Sequence, residues 1–193
     1  MHSYQRDFIE LALSRQALRF GSFTLKSGRV SPYFFNAGLF NDGASLARLG
    51  RCYATALAQT DFEYDILFGP AYKGISLVAA TAIALAEQQG RNLPWAFNRK
   101  EAKDHGEAGL LVGSTLRGRV VAVAVAFDRQ ERGQGGSSAV QEMSEQFGVK
   151  CVTILTFSEL IAALQNDQEN LAHVAADQLE AMRTYRQQYG ING

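Results

Sequence analysis

From Val120 to Phe127 the chain runs Val-Val-Ala-Val-Ala-Val-Ala-Phe, apolar at every position between Arg119 and Asp128. A strand with one face in water alternates apolar and polar residues. An unbroken run instead fits a strand buried on both faces, as in a parallel sheet covered by helices. Helical and extended patterns alternate on both sides of it. Tyr4, Phe8, Leu11 and Ala12 share one face of a first helix, and Leu46, Leu49, Gly50, Tyr53 and Leu57 mark a second. Asp65–Gly69 reads as a strand that breaks at Gly69-Pro70, and Ile75–Gln89 as a helix. Pro94–Asn98 and Lys150–Thr156 read as further strands, with Ser158 placed to cap the helix that follows. Leu171, Val174, Gln178, Met182, Tyr185 and Tyr189 recur at helical spacing near the end. The expectation is an α/β fold in a single domain, 1–193, with a mostly parallel central sheet flanked by helices. A short two-stranded unit, Phe23–Leu25 and Tyr33–Ala37, forms a small flap (about 20–40) outside that sheet.

Charge excludes several classes of function. Lys+Arg and Asp+Glu are balanced at 19 each, so no bulk field favours nucleic acid or an anionic membrane. Any anion site must be local. No apolar stretch approaches the roughly 20 residues needed to span a bilayer. The start, Met1-His2-Ser3-Tyr4-Gln5-Arg6, passes straight into a charged amphipathic helix, so no signal peptide is expected and the compartment is cytoplasmic. Cys52 and Cys151 stand singly in apolar-periodic stretches, which favours buried free thiols over a disulfide or a metal site.

Local charge is concentrated in Arg99-Lys100-Glu101-Ala102-Lys103-Asp104-His105. Without apolar periodicity, and loosened by Gly106 and Gly109, it reads as a mobile loop over 99–109. Cations that close over a site suit a polyanion whose charge grows as a bond breaks; the plain alternative is a solvated surface loop. In an α/β sheet, ligands bind beyond the carboxyl ends of the strands. Two further segments would arrive there. Phe68-Gly69-Pro70-Ala71-Tyr72-Lys73-Gly74 leaves a strand and opens a helix, offering backbone N–H groups and a lysine to a phosphate. Phe127-Asp128-Arg129-Gln130-Glu131-Arg132-Gly133 emerges from the buried run, and an arginine there can grip a planar carboxylate through two hydrogen bonds. A surface ion-pair cluster is its plain alternative. On the flap, Phe34 and Phe35 cannot both face one core, because side chains alternate across a strand. One ring is left to meet a flat heterocycle or to pack locally.

Taken with Thr24-Leu25-Lys26-Ser27-Gly28-Arg29 and Ser31-Pro32-Tyr33-Phe34-Phe35-Asn36, these segments resemble bacterial orotate phosphoribosyltransferases in sequence and in order, over almost the whole chain. The resemblance implies the type I phosphoribosyltransferase fold, with the flap as its hood. It implies a reaction of orotate with 5-phosphoribosyl 1-pyrophosphate that yields orotidine 5′-monophosphate and pyrophosphate in pyrimidine (UMP) biosynthesis. It also implies Mg²⁺ held mainly by substrate, and a homodimer whose loop serves the neighbouring subunit. Carried over by position, Phe34, Phe35 and Arg129 bind orotate. Lys26, Tyr72, Lys73, Arg99, Lys100, Lys103 and His105 bind the phosphoribosyl donor, with Arg99, Lys103 and His105 acting on the departing pyrophosphate.

One departure is large. The family carries an acidic pair, a Thr-Ala-Gly-Thr turn and a crossover helix after a buried strand. Here the apolar run passes directly into Asp128-Arg129. Parallel neighbours need a crossover of a dozen or more residues. Either one long strand replaces two, or about 25–30 residues, the scale of a βαβ turn, helix and strand, are missing near 120–127. The second is expected, because deleting a central strand and helix would expose a core that the rest of the sequence still specifies. If the deletion is native to the protein, the alternative is a non-catalytic member of the fold that binds a nucleotide or regulates a partner.

Overall fold

Strands and helices alternate along the chain in a computed structural model. It describes residues 1–25, 27–103, 109–115, 122–133, 136–148, 150–167, 171 and 174–191, without the side chains of 100–103, 109–110, 122–123, 143 and 147. The elements are α1 (Ser3–Ser14), β1 (Leu18–Thr24), β2 (Val30–Phe35), α2 (Gly43–Ala58), β3 (Leu67–Gly69), α3 (Lys73–Gln89), β4 (Trp95–Lys103) and β5 (Gly109–Gly113). They continue through β6 (Ala122–Asp128), α4 (Ala139–Phe147), β7 (Lys150–Thr156), α5 (Phe157–Asn166) and α6 (Ala176–Tyr189). The chain divides into two compact units, Met1–Phe40 with Val123–Gly193, and Asn41–Ala122.

In the first unit, β1 and β2 form an antiparallel hairpin, with an irregularity between Phe20 and Phe23, and β6 pairs with β7. The flap is therefore longer than its aromatic clusters suggest, with strands that begin at Leu18 and Val30. The buried stripe of α1 is Gln5, Phe8, Ile9, Leu11 and Ala12, with Tyr4 at its edge rather than in it. Phe8, Ile9, Tyr33, Ile154, Leu155, Phe157, Leu160, Leu164 and Met182 are essentially inaccessible and form the core. At about 25 cal/mol per Å² of apolar surface, each such side chain contributes on the order of 1.5–3 kcal/mol. Buried Gln5 is satisfied by Glu159 (Nε2 to Oε1, 2.9 Å). The other oxygen of Glu159 accepts from the Thr156 backbone N–H (2.8 Å) in a capping box that starts α5. Thr156, not Ser158, is the N-cap.

In the second unit, β3 runs parallel to β4, with Leu67 opposite Trp95 and Gly69 opposite Phe97. Strand β5 returns antiparallel to β4, with Phe97 opposite Val112 and Lys103 opposite Gly109. The charged segment thus differs from its expectation. Arg99 to Lys103 continue β4 rather than leaving it as a loop, with Lys103 paired to Gly109 beyond an irregularity between Asn98 and Lys103. Helices α2 and α3 pack closely at Gly50, where a Cβ would lie 2.7 Å from the Ala80 carbonyl oxygen. Both cysteines are free, with Cys52 buried and Cys151 half-buried.

Candidate active site

Strand β6 delivers Asp128-Arg129-Gln130-Glu131-Arg132 into a loop held on three sides. Gln130 adopts a left-handed conformation (φ 53°). Its backbone N–H donates to Asp128 Oδ1 (2.9 Å), and its side-chain oxygen accepts from the Ser158 N–H (2.9 Å) and hydroxyl. That is the role of Ser158. Gln130 O accepts from the Ile191 N–H, and Tyr189 O from the Arg132 N–H, both at 2.8 Å. These bonds pin the chain beyond α6 against the loop.

Within this frame the Arg129 guanidinium carbon lies 5.6 Å from the Tyr33 ring centroid, and its Nη1 lies 3.9 Å from Glu131 Oε1. The side chain is 33% exposed, so it is reachable by a ligand. Glu131 Oε1 accepts from the Tyr185 hydroxyl (3.0 Å) and the Tyr33 hydroxyl (3.4 Å). Its Oε2 lies 3.8 Å from Arg29 Nη1. Burial, and then the Glu131 charge, push the Tyr185 hydroxyl up to about 12. The same two causes, in the same order, raise Tyr33 further. Both hydroxyls are therefore protonated donors near neutral pH. Arg129 is a cation next to flat apolar surface, an arrangement suited to a planar ring that carries a carboxylate.

Alternation along β2 separates the two flap aromatics. Phe35 packs with Phe8, Phe40 and Phe127 at centroid distances of 6.1, 6.4 and 5.3 Å. Phe34 takes the other face, with Phe23 at 5.6 Å and the Arg19 guanidinium carbon 5.2 Å from its ring. The structure brings Phe35 and Arg129 to the shared neighbourhood of Tyr33 and Phe127, and Phe34 does not join them.

The second candidate lies in the other unit, where β3 turns into α3. A Cβ at Gly69 would collide with the Gly74 carbonyl, and one at Gly74 would lie 2.6 Å from Pro70 Cδ, so only glycine allows this turn. The Ala71–Tyr72 peptide bond is cis. Tyr72 and Lys73 are exposed at the start of α3. The N–H groups of Gly74 and Ile75 bond within the turn, to Pro70 O (2.9 Å) and Tyr72 O (3.2 Å), so the turn is less open than a bare helix start. The Ala71 N–H donates to Asn98 Oδ1 (2.8 Å), which ties the turn to β4 immediately before Arg99. Arg99 itself is half-buried on β4. Lys26 and His105 lie outside the described residues, as do the side chains of Lys100 and Lys103. Sequence reasoning gave no role to Asn98, Tyr33, Glu131 or Tyr185. Tyr33 and Glu131 stand inside the motifs and Asn98 directly before one, but their partners are distant in sequence.

A glycine-shaped turn from β3 into α3 and, in the other unit, an arginine beside flat aromatic surface are features that an α/β protein of the phosphoribosyltransferase class would present. A crystal structure of orotate phosphoribosyltransferase from Francisella tularensis matches with a TM-score of 0.82 and 36% identity, covering 95% of this chain and 98% of that one. Curated orotate phosphoribosyltransferases from Yersinia enterocolitica and Pseudomonas aeruginosa are each 50% identical over 218 positions, covering 99% of this chain and all of the relative. No protein-family model matches. The chain belongs to the orotate phosphoribosyltransferase family, a family of pentosyltransferases with the type I phosphoribosyltransferase fold. Since the chain has 193 residues, at least 25 of the 218 aligned positions (218 less 193) hold no residue of it.

Proposed function

We propose that the chain transfers a phosphoribosyl group to orotate, in pyrimidine (UMP) biosynthesis. The observation that carries the reading is Arg129, aimed by Tyr33 and Glu131 and one-third exposed. In the reaction, orotate N1 bonds to ribose C1 and loses its proton, while the C1–oxygen bond to pyrophosphate breaks and its electron pair leaves with the pyrophosphate. Arg129 holds the orotate carboxylate beside the aromatic face of the flap, with Phe35 on the pocket wall and Phe34 on the opposite face of β2. Lys26, Tyr72 and Lys73 receive the donor. Lys103, with Arg99, Lys100 and His105, meets charge that develops on pyrophosphate as the bond lengthens, which stabilises the transition state more than the ground state. Closure of that segment also excludes water that would hydrolyse the donor.

The charged group at the turn is a lysine, which suits the diphosphate anion rather than a cation. Mg²⁺ would therefore ride on the donor, neutralising its diphosphate. The active form is a homodimer in which the loop serves the neighbouring subunit, and the compartment is the cytoplasm. No helix among the described residues is long and apolar enough to cross a membrane.

The test is loss of orotate absorbance in the presence of donor and Mg²⁺, with none when either is withheld. A second reading has its own support in the 25 or more aligned positions without a residue here. A chain lacking the donor-holding segment would keep the carboxylate site and bind pyrimidine without turnover, as a non-catalytic regulator. Orotate binding without consumption would favour that reading, and absence of both would remove the two together.

A further inference from the structure

Glu131 lies at the centre of the polar contacts around Arg129, and the reaction gives it no chemical task. Two hydroxyls and two guanidinium groups converge on its carboxylate. The hydroxyls come from Tyr33, which is inaccessible to solvent, and Tyr185, which is 5% exposed. They donate to the same oxygen, so the carboxylate cannot rotate away without losing both. Tyr33 acts twice: its hydroxyl holds Glu131 and its ring lies under Arg129. The two supports of Arg129 are thus coupled through one residue. At 3.9 Å the Arg129–Glu131 separation exceeds a hydrogen bond. Glu131 therefore attracts the guanidinium without using up its N–H groups. Arg29, with its guanidinium carbon 5.1 Å from the Tyr189 ring centroid, balances the remaining charge of Glu131.

We propose that Glu131 is a positioning residue for carboxylate recognition. Fixed by Tyr33 and Tyr185, it aims Arg129 at the ligand and so sets the preference for a carboxylated pyrimidine over an uncharged one. The inference rests on the orotate reading of the site.

The test compares equilibrium binding of orotate with that of its methyl ester, which keeps the ring and removes the charge. Wild type should prefer orotate. Glu131→Gln keeps the size of the side chain and an acceptor for both hydroxyls. It should reduce that preference roughly tenfold, the equivalent of about 1.4 kcal/mol, with ester binding unchanged. Tyr185→Phe, a milder change that deletes one hydroxyl, should reduce the preference in the same direction by less. In an Arg129→Ala background, Glu131→Gln should have no further effect on the ratio, because its influence passes through Arg129. A merely structural role would lower thermal stability and weaken both ligands alike. An unchanged ratio in Glu131→Gln and Tyr185→Phe, or tighter orotate binding, would overturn the proposal; the second result would mean that Glu131 competes with the ligand for Arg129. A wild type that does not prefer orotate would overturn the orotate reading itself, and this inference with it.

Discussion

Around Arg129, two tyrosines, an acid and a second arginine converge through side chains drawn from the β1–β2 turn, β2, the loop after β6 and α6. The turn from Gly69 to Gly74 is made the opposite way, from backbone and small residues, with Tyr72 and Lys73 exposed at its edge. The difference suits what each region is proposed to hold. A single planar carboxylate is recognised by direction, so the arginine must be aimed, and aiming takes a shell of buried, satisfied partners. A diphosphate offers many acceptors in many directions. A tight backbone turn at a helix start, with lysine nearby, serves it without orienting any one side chain closely. Substitutions should therefore be felt through aim in the first region and through backbone shape or bulk charge in the second.

The largest effect should come from the cationic segment. If Lys103 stabilises charge that exists only in the transition state, Lys103→Ala should lower kcat by about 10²–10³ with little change in KM. Mixing it with Lys73→Ala should restore part of the activity, since each heterodimer would hold one site with both lysines if the segment crosses to the neighbour. Steady-state kinetics before and after verified subunit exchange decides the matter. A rise in KM alone would return Lys103 to ground-state binding, and no complementation would keep the segment within its own subunit.

Gly69→Ala probes the turn through shape alone. The added methyl meets the Gly74 carbonyl, which is backbone and cannot rotate aside. Overpacking of this kind costs about 1–3 kcal/mol, and each kcal/mol lowers Tm by roughly 2–4 °C in a chain of this size. Donor affinity should fall while orotate binding at Arg129 holds. Calorimetry and separate binding titrations read the two effects. Equal weakening of both ligands would mean that the two regions do not act as separable sites.

The same contrast governs what could be read from sequence. Strand β7 spans the residues its apolar run marks, Lys150–Thr156, and the turn after β3 announces itself through Gly69-Pro70 and Gly74. Both depend on near neighbours in the chain. Extension of β4 to Lys103 was hidden because its side chains are charged and the signal lies in pairing with β5. Alternation correctly separated Phe34 from Phe35, but which one faces the core depends on Phe8, Phe40 and Phe127, and local sequence does not contain them. Arg129 was legible from its motif. Its supports were not: Glu131 bonds Tyr33 and Tyr185 across 98 and 54 positions, and Ser158 reaches back 28 positions to Gln130 rather than capping α5.

The smallest effect isolates the hydroxyl of Tyr185. Its pKa is pushed up to about 12 from an ordinary 10.0, chiefly by burial and then by Glu131. Below pH 10 the hydroxyl is protonated in both folded and unfolded chains and contributes no pH dependence. Between about pH 10 and 12 the unfolded chain releases this proton while the folded chain retains it. The unfolded state then binds fewer protons, and stability falls as pH rises. A single proton limits the slope to about 1.4 kcal/mol per pH unit, and the decline levels off above 12, where both states are ionised. Tyr185→Phe lacks this titration. At pH 8 the variant should be less stable, by about 0.5–1.5 kcal/mol for the lost hydrogen bond, and its deficit should narrow as pH approaches 11. Tyr64 also has a raised pKa, but its causes do not involve Tyr185 and it cancels in the difference. Tyr33 is raised chiefly by burial and in part by Tyr185, so in the variant its upward shift is smaller, which narrows the gap in the same direction. Urea midpoints of wild type and variant at the two pH values measure the gap. A gap that stays constant would place the Tyr185 hydroxyl in water rather than against Glu131, and would loosen the aim of Arg129 on which the contrast between the two regions depends.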